Sequence, residues 1–374
     1  MSGLLSLLTS KSLTSNICFT VRVFHSLKIS DEAEVGAARR SVSRYAGRLG
    51  FGEKEMAELE IVVQEIGTNA VRYATDGGCL HWRAVGGIEP GIELFYWDKG
   101  PGIADLDRAV RDGVSTSGGL GAGMGAIRRL TDEFDVYSTV NSTSRLTHSR
   151  RTTHGTALLA RKWVAGTIAA ASLRRLTEDA PEGMATSIGI WSRPRPGEDV
   201  NGDACYIRHH AGSKLLAVID GLGHGTGAYA AAAAAIELLE QWQGEPLDEV
   251  FHGVHDALRA TRGAVMGACV VDGEGEAFYY AGVGNIDVRV FNAREPIRPI
   301  SNNGTLGARL TDVRVWRNPW TEGATIVMST DGISATWDAA SYPGLLRKSP
   351  QLLAGVLMRD YARNSDDATV LVAR

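Results

Sequence analysis

Apolar residues in the first part of this chain fall at helical spacing, and farther on they gather into short β-rich runs. Met56, Leu59, Val63, Ile66, Ala70 and Tyr73 are three and four apart, the stripe of an amphipathic helix over about residues 53–74. Ser30 and Asp31 precede an earlier helical stretch, about 32–49, which Gly50 stops. Residues 18–24 are rich in β-formers and read as a first strand. Residues 80–85 and 92–97 read as two paired strands, and 134–139 and 156–161 as two more. A helix is expected over about 124–131. The glycine-rich stretch 98–125 reads as mostly loop, and the polar, basic stretch 141–153 as an exposed hairpin tip.

Residues 164–184 form a connector in which 168–176 has a helical pattern, broken by Pro181 and Gly183. Beyond it, strands are expected at 187–191, 204–209, 215–219, 268–271, 277–281, 288–291 and 325–329. Helices are expected at about 227–243, 247–261 and 351–361. This is the pattern of a two-sheet domain with a few covering helices. The divisions are an extension (1–18), a first domain (19–163), a linker (164–184) and a second domain (185–374).

Composition narrows the class. A chain of 374 residues accommodates two domains, and 44% hydrophobic with 22% charged residues is ordinary for globular protein. The net charge of −4 gives no reason to expect nucleic acid as a partner. Cys18, Cys79, Cys205 and Cys269 stand singly, which points to reduced thiols in the cytoplasm rather than to a zinc or redox motif. No apolar run approaches the ~20 residues that span a bilayer, so no membrane association is expected. Met1–Ser15 lacks the basic start and the cleavage site of a signal peptide.

Three pieces of the first domain bear on ligand chemistry. Glu65 and Asn69 project from one face of a helix, where such a pair can hold Mg²⁺ or act as base and metal ligand. Asp98-Lys-Gly-Pro-Gly102 follows a strand, so it places a carboxylate at the sheet edge with Gly100 and Gly102 beside it. The run 118–125 (GGLGAGMG) opens a helix and can cradle an anion on its amides. Taken alone, Glu65 and Asn69 read more readily as a solvated helix flank, the Asp98 motif as readily as an ordinary turn, and the glycine run is a weak signal. In this order they resemble the GHKL group of ATP-binding domains (the Bergerat fold), and GGLGAGMGAIRRLTDEF resembles the RsbT/RsbW-type anti-sigma serine kinases. The resemblance implies that Asn69 ligates the Mg²⁺ of ATP, that Glu65 orients or deprotonates the acceptor hydroxyl, and that Asp98 accepts from the adenine amino group. It further implies that Gly100, Gly102, Gly119, Gly121 and Gly123 shape the lid and phosphate contacts and that Thr156 closes the pocket.

In the second domain stand Asp203, Asp220-Gly221, Asp331-Gly332 and Asp366-Asp367, and three of these carboxylates follow or precede β-rich runs. Any one Asp-Gly pair is usually a turn. Rigidly held carboxylates that converge form a hard-oxygen site for Mg²⁺ or Mn²⁺. As a set they resemble metal-dependent protein phosphatases (PPM) of the SpoIIE/RsbX branch, as do Asp220-Gly-Leu-Gly-His-Gly225 and Ala281-Gly-Val-Gly-Asn285. The resemblance implies two Mn²⁺ or Mg²⁺ ions held by Asp203, Asp220, the Gly221 carbonyl, Asp331 and Asp366, with Asp220 and Asp203 catalytic. Asp367 is the alternative to Asp366. Leu222 stands where type 2C phosphatases carry their general-acid histidine, and His224 is expected only to stabilise its turn. His209, His210, His252 and His255 are expected at the surface.

The fold expected is α+β, a GHKL α/β sandwich followed by a PPM β-sandwich flanked by helices. The function expected is dephosphorylation of a phosphorylated STAS-domain anti-sigma antagonist in a partner-switching stress pathway. A sigma factor or stressosome-type complex is a further partner, and the ATP-binding domain acts as regulator. A bifunctional kinase/phosphatase and a non-catalytic scaffold remain alternatives.

Overall fold

Asp31 opens the first helix, α1 (Glu32–Arg48), with a capping box. Its side chain accepts from the Glu34 amide at 2.9 Å, while the Glu34 carboxylate accepts from the Asp31 amide at 3.3 Å. The computed structural model describes residues 24–86, 90–111, 123–140, 154–166, 188–273, 276–310 and 312–374. The expected connector helix 168–176, the hairpin tip 141–153 and most of the predicted strand 18–24 lie outside these residues.

Helix α2 (Glu53–Tyr73) buries Leu59, Val62, Val63, Ile66, Gly67 and Ala70. Its stripe ends before Tyr73, which is 49% exposed. A short helix not anticipated from the sequence, α3 (Leu106–Val110), precedes α4 (Gly123–Leu130). These helices cover one antiparallel sheet made of β1 (His25–Ile29), β2 (Gly78–Val85), β3 (Gly91–Asp98), β4 (Glu133–Thr139) and β5 (Gly155–Trp163), in the order β1-β2-β3-β5-β4.

Alternation along these strands gives the sheet two buried faces. Ile92, Leu94, Tyr96, Val136, Leu158 and Ala160 point into the core beneath α1 and α2. Phe95, Tyr137, Ala157 and Leu159 point the other way, into a core built mainly from the second half of the chain. On β3, Glu93 is fully buried and accepts from Arg83 at 2.9 Å and Arg161 at 2.7 Å. Burial opposes its charge, but the two guanidiniums hold its carboxyl below the usual range.

The second half is a sandwich. One sheet has the order β12-β10-β9-β8-β7, with β7 (Asp203–His210), β8 (Ser213–Gly221), β9 (Ala264–Val271), β10 (Ala277–Val283) and β12 (Trp316–Pro319). The other has the order β11-β13-β14-β6, with β6 (Ile188–Arg193), β11 (Asp287–Phe291), β13 (Thr325–Ser329) and β14 (Ala368–Ala373). Strands β12 and β14 are additions to the predicted set. Cys205, Val218, Cys269, Phe278, Ile326 and Leu371 pack between the sheets. Helices α5 (Thr226–Leu239) and α6 (Leu247–Ala257) cover the outer face of the first. The expected α+β architecture is present. Cys79, Cys205 and Cys269 are free thiols.

Helix α7 (Pro350–Tyr361) covers the outer face of the second sheet, and eleven of its twelve residues are buried. A helix apolar nearly all round lies between two layers. Here those layers are the β6–β14 sheet and the second face of the β1–β5 sheet. Trp191 of β6 joins this core, stacked on Phe24 at 4.0 Å and set edge-on to Phe95 and His81 at 5.0 Å. Burial lowers the His81 pKa to about 3, so this ring stays neutral.

Gly355 faces the Phe95 ring so closely that a Cβ would overlap it. Gly355→Ala gains about 1 kcal/mol of helix propensity, yet overpacking costs about 1–3 kcal/mol. Thermal denaturation should therefore show Gly355→Ala destabilised. Adding Phe95→Leu should recover part of the loss, and a Gly355→Ala protein more stable than the parent would contradict this packing.

Candidate functional site

Strands β7 and β8 pair antiparallel with Asp203 opposite Asp220. The two carboxylates thus sit side by side at one end of the sheet. Asp203 is 7% exposed and accepts from the Thr330 hydroxyl at 2.7 Å. That hydroxyl also accepts from the Thr369 amide at 3.0 Å, so Thr330 ties β14 to Asp203 across the sandwich. Thr330 was missed as a site residue, although it stands immediately before Asp331-Gly332.

Asp331 stands two residues past the end of β13, and its carboxylate accepts from Asn285 at 2.9 Å. Gly332 cannot carry a side chain, since a Cβ there would overlap the Asp367 carbonyl. The neighbours Asp366 and Asp367 differ in role. Asp367 is 3% exposed and accepts from the Arg195 amide at 2.7 Å and the Gly202 amide at 2.9 Å. Those bonds fasten the loop before β7. Asp366 is half-buried and, among the described residues, accepts from the Asp367 amide at 3.0 Å.

The electrostatics are those of crowded anions. Burial, and then Asp331, Asp366 and Asp367, push the Asp220 carboxyl up to about 7. Burial and Asp220 push Asp203 well above the usual carboxylate range, against the Thr330 hydrogen bond. Among the described residues no ion pair joins Asp203, Asp220, Asp331 or Asp366 to a basic side chain. Also among them, no three His, Cys, Asp or Glu side chains stand close enough to grip an ion as placed. Like charges hold one another apart, and a divalent cation is the partner such an oxygen set lacks. The donor chemistry therefore fits Mg²⁺ or Mn²⁺.

His224 is exposed and paired with Glu198 at 2.7 Å, which braces its turn as expected. His209, His210 and His255 depart from the surface reading, since all three are half-buried. His255 accepts from the Gly307 amide at 3.0 Å.

The second cluster lies at the end of β3. Asp98 Oδ1 accepts from the Gly100 amide at 2.8 Å and the Thr156 amide at 3.2 Å. This fixes the carboxylate and brings β5's first threonine to it. The Gly100 carbonyl bonds His154 at 2.6 Å. Gly102 has φ +77°, and a Cβ there would overlap Thr139. Glu65 and Asn69 are half-buried one turn apart on α2, and burial raises the Glu65 carboxyl. Gly123 begins α4, whereas Gly119 and Gly121 lie outside the described residues. A held carboxylate, a glycine turn pressed against neighbouring backbone and a carboxylate–amide pair suit a flat purine and the cation of its phosphates.

Comparison with known proteins matches each half of the chain to a family. The histidine kinase-like ATPase domain family matches residues 29–148, and the Stage II sporulation protein E (SpoIIE) family matches residues 210–374. The serine/threonine-protein kinase RsbT of Bacillus subtilis (strain 168) is 36% identical over 112 residues, which are 30% of this chain and 84% of RsbT. The phosphoserine phosphatase RsbX of the same strain is 23% identical over 146 residues, 39% of this chain and 73% of RsbX. A crystal structure of RsbX with magnesium overlays with TM-score 0.46 at 22% identity, covering 52% of this chain and 98% of that one. This chain belongs to the histidine kinase-like ATPase family through an RsbT-like first module, which is joined to a phosphatase module of the SpoIIE/RsbX type. The SpoIIE match begins at His210, the last residue of β7, so Asp203 lies outside it and is tied to the site by its pairing with Asp220.

The Asp220 pKa lies near 7 in the folded chain against an ordinary 3.8. Its contribution to stability is therefore fully present below the ordinary value and lost as pH rises through about 7. In chelator, the melting temperature should fall over that window. Asp220→Asn should flatten the fall and raise stability at pH 8 by about 2–4 °C per kcal/mol recovered. An Asp220→Asn protein that melts lower at pH 8 would contradict the crowding.

Proposed function

We propose that the chain is a metal-dependent protein serine/threonine phosphatase that removes phosphate from a phosphorylated STAS-domain anti-sigma antagonist, under control of its ATP-binding domain. One observation carries the catalytic half of this reading. Asp203 and Asp220 face each other across β7–β8, Asp331 and Asp366 crowd Asp220, and no ion pair joins these carboxylates to a basic side chain among the described residues. Asp203, Asp220, the Gly221 carbonyl, Asp331 and Asp366 would hold two Mn²⁺ or Mg²⁺ ions. Such ions supply a water of lowered pKa and neutralise charge on the phosphate.

The chain's own residues do the rest. Strands β7, β8 and β13 fix the carboxylates so that little reorganisation is needed. Thr330 orients Asp203, Asn285 orients Asp331, and Asp367 holds the loop before β7 in place. Leu222 is exposed beside Asp220 and has no proton to donate, so the leaving serine oxygen takes its proton from solvent. In the first module, Asn69 would hold the Mg²⁺ of ATP, Asp98 the adenine amino group, and Gly100, Gly102, Gly123 and Thr156 the surrounding wall.

The pathway reading, partner switching with a STAS protein and a stressosome-type or sigma-factor partner, rests on the likeness to RsbT and RsbX. The absence of a membrane-crossing helix among the described residues accords with a cytoplasmic site of action. A second reading, kinase and phosphatase in one chain, is favoured by Glu65, whose raised carboxyl suits a base that orients or deprotonates a hydroxyl.

Phosphate release from a phosphoserine STAS protein with Mn²⁺ tests the first reading. Asp220→Asn should lower kcat by at least ~10²-fold, and release that survives in Asp220→Asn would overturn the assignment. Incubating the intact protein with labelled ATP and the unphosphorylated STAS protein tests the second. Label transfer that disappears in Glu65→Ala would establish the kinase, and no transfer by the intact protein would remove it.

A further inference from the structure

The two clusters are joined by one helix. At its C-terminal end, Arg359 is buried against Asp360, donating through Nε and Nη2 at 2.8 Å each. Its remaining nitrogen, Nη1, donates to the main-chain carbonyl of Asp98 at 3.2 Å. Asp98 is the residue whose side chain is pinned by Gly100 and Thr156 at the proposed adenine site. The Tyr342 hydroxyl donates to Asp360 at 2.8 Å and fixes the fork from behind.

Two residues beyond Arg359 the chain locks onto the metal-site turn. The Tyr361 carbonyl accepts from the Ser334 amide at 2.9 Å, and the Arg363 amide donates to the Gly332 carbonyl at 2.7 Å. Gly332 follows Asp331, and three residues after Arg363 comes Asp366. At the other end of α7, the Ser349 amide donates to Asp135 of β4 at 2.8 Å, and Lys348 pairs with Asp135 at 3.3 Å. The helix is thus bonded to the ATPase sheet at both ends, and its C-terminal end is bonded to the turn that carries Asp331.

We propose that Arg359 is a positioning residue that couples nucleotide binding at Asp98 to metal binding at Asp331 and Asp366 through α7. This deepens the regulatory reading of the first module and rests on Asp98 lying in a nucleotide site. A bidentate carboxylate partner fixes the guanidinium's orientation, with Nη1 on the Asp98 carbonyl, so Arg359 registers where the Asp98 backbone sits. Coupling between two binding sites is reciprocal. Whatever factor nucleotide imposes on metal affinity, the metal site must impose on nucleotide affinity.

Reciprocity supplies a readout that needs no catalysis. ADP affinity is measured by calorimetry at fixed Mg²⁺ in four proteins: the parent, Asp220→Asn, Arg359→Lys and the double variant. Asp220→Asn is expected to shift the ADP Kd at least about fivefold, the lower end of ordinary allosteric coupling. In the Arg359→Lys background that shift should vanish. Hydrogen exchange of residues 353–369 should respond to ADP in the parent and not in Arg359→Lys. Should Arg359→Lys melt far below the parent, Asp360→Asn, which loosens the fork and keeps the arginine, takes its place. The proposal is overturned if the parent binds no ADP, if Asp220→Asn leaves the ADP Kd unchanged, or if the shift persists without the arginine fork. An intact ADP shift in a protein inactive on phosphoserine would instead sink the phosphatase reading and leave the coupling standing.

Discussion

Helix α7 has almost no solvent face, and much of this chain's organisation depends on that. Its burial requires an apolar surface on each side. The phosphatase module supplies one, in Trp191, Val370 and Val372. The ATPase sheet supplies the other, in Phe95, Tyr137, Ala157 and Leu159. Removing either module would expose a continuous apolar face, a costly arrangement in water. The same constraint explains Gly355, which lets the helix approach Phe95, and the neutral His81 beneath Trp191. It also places an arginine from one module on the backbone of the other's candidate ligand carboxylate.

At the metal cluster the governing force is repulsion. The fold sets Asp220 among carboxylates that raise its pKa, with no ion pair to a basic side chain among the described residues, and it sacrifices stability at neutral pH to do so. Hydrogen bonds from Thr330 and Asn285 orient the carboxylates without neutralising them. Such an arrangement is rational where a cation completes the site. Asp367, with two backbone amides, shows the contrasting case of a carboxylate used as a structural tie.

Much of this was legible in the residues. The ends of α1 could be read because Asp31 and Glu34 form a local capping box that needs no tertiary context. The α2 stripe was legible for the same reason, apart from Tyr73, whose turn overruns the core. Strand β14 escaped notice because all six of its residues are buried and it shows no alternation. Asp366 and Asp367 could not be told apart by spacing, since what separates them is the Arg195 and Gly202 amides, more than 160 residues away. The bond from Arg359 to Asp98 spans 261 residues, and no periodicity encodes it. Local chemistry was readable, whereas contacts that depend on how layers meet were not.

The central claim is that the crowded carboxylates are a divalent-cation site. Titrating chelated protein with Mn²⁺ by calorimetry, beside the double variant Asp203→Asn/Asp331→Asn, tests it most directly. The account predicts saturable Mn²⁺ binding by the parent that the double variant loses. No binding by the parent, or equal binding by the variant, would contradict it and return the second module to the status of a partner-binding surface on a phosphatase fold.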